Sequence, residues 1–91
     1  MIFSRNKDVI KRNVGGEVFL IPIKNRLADM DSIYALHGIA EFIWDRLNGT
    51  QDTADICAAI IAEFEVTQKQ AMADLNEIIN DLLTAGLIVK G

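Results

Sequence analysis

The sequence predicts an α+β fold, a short three-stranded antiparallel sheet followed by three helices. Three observations carry that expectation. Residues 8–14 read as a strand, residues 17–23 are rich enough in β-branched and aromatic side chains to be its return, and Gly15-Gly16 stands between the two runs. From Gly38 onward apolar residues recur every three or four positions, the period of a helix with one buried face. Apolar residues make up 51% of the 91, enough for one core at a length near the lower limit for an unaided domain. A single domain over residues 1–91 is expected.

The strands come first. Residues 8–14 form one arm of a hairpin, and Gly15-Gly16 supplies the positive φ angles that a two-residue turn requires. Residues 17–23 return, with Pro22 expected at the strand's end because it cannot donate to a ladder. Lys24 to Asp31 reads as a polar loop and residues 32–36 as a third strand.

The first helix is expected over 38–47, with Ile39, Ile43 and Leu47 on one stripe and Asn48-Gly49 stopping it. The second spans 53–64: Asp52 caps it, Asp55 is its acidic third position, and Ile56, Ile60 and Phe64 face inward. The third spans 68–85, opened by a Thr67…Gln70 capping box and closed at Gly86. Its apolar arc, from Ile78 and Ala85 through Leu75 to Met72, Ile79 and Leu83, is wider than one packing face requires. The extra flank would be covered by the domain's own sheet, by a second copy of the chain, or by a peptide. A strand edge beside such a helix suits an extended ligand, which pairs with the strand and lays alternate side chains on the helix. Leu87-Ile88-Val89 reads as an extended tail that packs back.

Composition excludes more than it assigns. Residues 1–26 hold six basic side chains against two carboxylates, and residues 27–91 hold three against eleven. The plan resembles winged-helix DNA binders, yet the third helix carries Lys69 against Asp74, Glu77 and Asp81, which repels phosphates; no nucleic-acid partner is expected. No apolar run is long enough to cross a bilayer, and the first residues lack a signal peptide's apolar core, so no membrane partner is expected. A single cysteine forms no internal disulfide and favours a cytoplasmic setting. His37 and Cys57, the only histidine and cysteine, share no metal-ligand spacing, and Asp29 and Asp31 sit in a polar turn. Cys57 and Trp44 read as core. No catalytic residue, metal site or cofactor is expected.

Several stretches together resemble the PqqD family. They are Ile33-Tyr34-Ala35-Leu36-His37, then Ile43-Trp44-Asp45-Arg46-Leu47-Asn48-Gly49, Asp55-Ile56, Asp74-Leu75 and Leu82-Leu83-Thr84-Ala85-Gly86-Leu87. That family's pattern is a strand ending aromatic-x-leucine-asparagine, then a helix ending isoleucine-tryptophan-x-x-leucine-x-glycine, then a leucine-rich end closing on glycine-leucine. The resemblance covers about residues 5–89. His37 stands where asparagine is usual. The second strand lacks the tyrosine-proline-glutamate-glycine stretch of proteins that serve quinone-cofactor synthesis, so the likeness is to the wider family.

The resemblance implies a winged-helix-like recognition element for ribosomally made, modified peptides. Such a domain is no enzyme. It holds the leader of a precursor peptide as an added strand and presents it to a modifying enzyme, often a radical enzyme using S-adenosylmethionine. On this chain the main chain of Ile33, Tyr34 and Ala35 would pair with the leader, and Met72, Asn76, Ile79 and Leu83 would line the helix side. The rival readings are a structural or homodimerisation module and a nucleic-acid-binding regulator.

Overall fold

The computed structural model describes residues 1–91. In chain order the elements are β1 (Ile2–Arg5), β2 (Val9–Val14), β3 (Glu17–Lys24), β4 (Leu27–Ala28), a 3₁₀ turn (Met30–Ser32) and β5 (Tyr34–Leu36). Then come α1 (Ile39–Arg46), β6 (Asn48–Asp52), α2 (Thr53–Phe64), α3 (Gln68–Thr84) and β7 (Ile88–Lys90).

β2 and β3 form the expected hairpin, in register from Val9↔Pro22 to Val14↔Glu17, and both turn glycines have positive φ. β5 joins β3 antiparallel, with Val18 opposite Leu36 and Leu20 opposite Tyr34. Pro22 does not end its strand. Its missing N–H falls at the last rung of the β2 ladder, and its carbonyl accepts a 2.7 Å hydrogen bond from Asp29 N–H. β3 therefore continues to Lys24, paired there with β4.

A second sheet, ordered β6-β1-β7, was not foreseen in the sequence. β1 pairs antiparallel with both flanking strands, with Ser4 opposite Asn48 on one side and Val89 on the other. The expected stop signal Asn48-Gly49 belongs to β6, and α1 ends before it at Arg46. Asn48 Oδ1 accepts from Thr50 N–H at 3.0 Å, which holds the chain as it leaves the helix. Gly49 has φ +83°, and a Cβ there would lie 2.6 Å from Ser4 Oγ, so a side chain where β6 meets β1 would be strained and would have to displace the Ser4 hydroxyl.

The core lies between the first sheet's inner face and the helices. Val18, Leu20 and Leu36 of the sheet meet Ile43, Trp44 and Leu47 of the α1 region, Ile56 and Ile60 of α2, and Leu75 and Leu82 of α3. Each such side chain contributes about 1.5–3 kcal/mol on full burial. Cys57 is buried among them.

Caps fix the helix starts. Asp52 accepts from Ala54 N–H at 2.9 Å, while Asp55 accepts from Asp52 N–H, a complete capping box. Thr67 Oγ1 accepts from Gln70 N–H at 3.1 Å, but the Gln70 side chain donates forward to Asp74 at 2.8 Å rather than reaching back. α1 starts after Gly38, which has φ +52° and no side-chain cap.

Candidate functional site

β5 has a ladder partner on one side only. β3 takes one margin, and no other strand pairs with it. Outside that ladder, no backbone hydrogen bond involves residues 33–36; the nearest are Ser32 N–H to Asp29 and Ala40 N–H to the His37 carbonyl. In a strand, alternate residues turn their N–H and C=O to opposite sides. Part of β5's main chain therefore faces outward without a protein partner. The tail does not close this margin, because β7 is taken up by β1.

The wall beside the margin is α3. Tyr34 lies on the core side of β5, half-buried against the core. Burial, with the Asp81 and Glu77 carboxylates nearby, pushes its hydroxyl pKa above the ordinary value. Further along, Ser32 shares a crevice with Ala85 and Gly86 just beyond the end of α3. Residues 32–34 thus lie near the C-terminal end of α3. Neither Glu77 nor Asp81 enters an ion pair, whereas Lys11 bridges Glu41 and Asp45, Lys24 meets Asp29, and the Met1 ammonium meets Asp52. This flank of α3 is acidic, with neither carboxylate neutralised by an ion pair within the chain.

The expected site residues divide. Tyr34 and Ala35 belong to β5, and Ile33 lies just before it; Ile33 and Ala35 are exposed, and Tyr34 is half-buried on the core side. On the helix, Ile79 is a core residue. Met72 lines a largely apolar crevice with Ala54, Cys57, Ala58 and Ile61 of α2. Asp81 follows Met72 by nine residues, about two and a half turns, which puts them on opposite flanks. Leu83 and Asn76 share the Met72 side by the same count and are exposed. Glu77 and Asp81 lie close enough to Tyr34 to act on its hydroxyl, and Ile78 between them in sequence is half-buried against the core. Helical periodicity exposed a wide apolar arc but carried no sign of which flank the strand would meet. That depends on how α2 and β5 divide the helix between them.

The remaining candidates are structural. Trp44 is 3% exposed and belongs to the core. Asp29 accepts from Asp31 N–H at the head of the 3₁₀ turn. His37 lends only its carbonyl to the start of α1.

The family model described as coenzyme PQQ synthesis protein D matches residues 25–88, the span that holds β5 and all three helices. The chain belongs to the PqqD family. Two solved structures have the same fold as this PqqD-family chain. One is titled "Lasso peptide synthetase B1 complexed with the leader peptide"; it superposes with a TM-score of 0.77 at 19% identity, covering 99% of this chain and 100% of that one. The other, "TbiB1 in Complex with the TbiA(beta) Leader Peptide", gives a TM-score of 0.76 at 20% identity over 97% of this chain and 96% of that one. No curated protein matches the sequence. No helix is long and apolar enough to cross a membrane.

Proposed function

We propose that this PqqD-family chain is a non-catalytic binding protein that holds the leader segment of a ribosomally made precursor peptide and presents it to a modifying enzyme. The observation that carries the reading is the open margin of β5 beside α3. Unpaired main-chain groups there offer hydrogen bonds to any extended backbone, and the helix supplies a surface for its side chains. Both structural neighbours are complexes with leader peptides, which supports the same task here. In the cytoplasm, with Cys57 reduced and buried, the chain contributes recognition, and the bond-making belongs to its partner. A radical enzyme using S-adenosylmethionine is one partner of the right kind.

Ile33, Tyr34 and Ala35 supply the main chain, and Ile78 and Asp81 form the facing wall. Met72, Asn76 and Leu83 on the far flank serve as the contrast, because buried Ile79 cannot be changed without damage to the core. The test is a titration with the leader of a short precursor gene neighbouring this one, followed by amide chemical shifts and calorimetry. The expected result is micromolar or tighter binding with shifts concentrated in residues 33–36. Asp81→Arg should alter affinity by about tenfold, and Met72→Asp should leave it unchanged. If Met72→Asp abolishes binding while Asp81→Arg does nothing, the peptide lies on the other flank. If residues 33–36 do not respond at all, strand addition is wrong.

A further inference from the structure

The β2–β3–β5 sheet has a second face that no part of the chain uses. Side chains alternate across a strand. With Val18, Leu20 and Leu36 directed into the core, their neighbours point away from the helices. An antiparallel sheet covered on one side normally shows polar residues on the other. This one does not. Ile10 stands directly across from Ile21, and Phe19 lies between Arg12 on β2 and Ala35 on β5. Phe19 and Ile21 lie outside the core cluster and do not pack against it, and Ile10 and Val14 are 39% and 62% exposed. Contiguous apolar surface of this kind marks an interaction site.

Charge indicates what covers it. Arg12 and Glu17 are the face's two ions, set two rungs apart on opposite strands of the hairpin, and neither has an ion-pair partner within the chain. A two-fold contact brings the same surface of two molecules together, so it requires a face that matches itself. One cation, one anion and an apolar centre meet that condition: Arg12 of each copy can reach Glu17 of the other while Phe19 and Ile21 pack across the axis.

We propose that the outer face of the β2–β3–β5 sheet is the contact surface for a second copy of this chain. The pairing leaves the open margin of β5 free, because margin and face point in different directions. It therefore stands apart from peptide binding and can fail without it.

Sedimentation equilibrium of the intact chain, alone and with saturating leader peptide, tests the proposal. The expected mass is twice the 10.1 kDa of one chain, with or without peptide. Phe19→Glu should give a monomer with unchanged circular dichroism and unchanged peptide affinity. Ile10→Lys, on the edge strand, provides a second variant should the first disturb the hairpin. Arg12→Glu should raise the dimer dissociation constant by about tenfold, and adding Glu17→Arg to it should restore the wild-type value. A wild-type chain that stays monomeric at submillimolar concentration overturns the proposal and leaves the face to a different protein. A dimer indifferent to both Phe19→Glu and Ile10→Lys overturns it equally. A dimer that binds no leader leaves this proposal standing and counts against the peptide reading instead.

Discussion

Tyr34 is the chain's single tyrosine and sits where strand margin, core and acidic helix flank meet. Burial and, secondarily, Asp81 and Glu77 raise its hydroxyl pKa above the ordinary value of about 10. The folded chain then holds a proton that the unfolded chain has released. The stability this neutral phenol contributes is complete below about pH 10 and declines as pH rises through the raised value. An ultraviolet titration of the phenolate reads this directly, since no other tyrosine contributes. The midpoint should lie above that of free tyrosine and drop partway when Asp81→Asn and Glu77→Gln are combined. A midpoint equal to the free value would put the ring in open water, away from α3. A leader added beside β5, as proposed, would bury the ring further, and the midpoint should then rise again.

At the scale of elements, the place where β6 meets β1 sets the Ser4 side chain against the backbone of Gly49. Gly49→Ala places a Cβ in a left-handed conformation, which costs about 1–2 kcal/mol, and drives it toward Ser4 Oγ. Urea denaturation should show a loss of that size. Adding Ser4→Ala should recover only part of it, because the backbone conformation remains unfavourable; full recovery would assign the whole cost to the clash. The same pairing explains what the sequence concealed. The hairpin, the third strand and all three helices were legible because their signals are local: a glycine pair, alternation over six residues, caps such as Asp52 and Thr67. β1 and β7 are short, and β1's partners lie far away in sequence at Asn48 and Val89. No window of neighbouring residues contains that pairing. Asn48-Gly49 marked a helix end correctly as chemistry, since a positive φ follows, yet the segment continues as a strand. The same distinction applies to the expected site. Ile33-Tyr34-Ala35 is a local stretch that names its own strand, whereas the flank of α3 opposite it is set by tertiary packing.

Across the whole molecule, the apolar residues partition onto three surfaces: a core between sheet and helices, a strand margin beside an acidic wall, and an outer sheet face with one ion of each sign. The outer face lies apart from the margin, so a paired molecule of the kind proposed would offer two grooves at once.

The β1–β7 pairing sets Phe3 opposite Lys90, and Gly91 N–H donates to the Ile2 carbonyl at 2.9 Å. These residues could therefore be spliced by a few glycines and the polypeptide reopened at the solvent-exposed Gly15-Gly16 turn. Such a circular permutant should keep the parent's circular dichroism and melt within a few degrees of it, whereas deleting residues 88–91 should melt far lower. The same adjacency imposes an order on folding: β1 can pair with β6 only once residues 48–52 are made, and with β7 only once residues 88–90 are made.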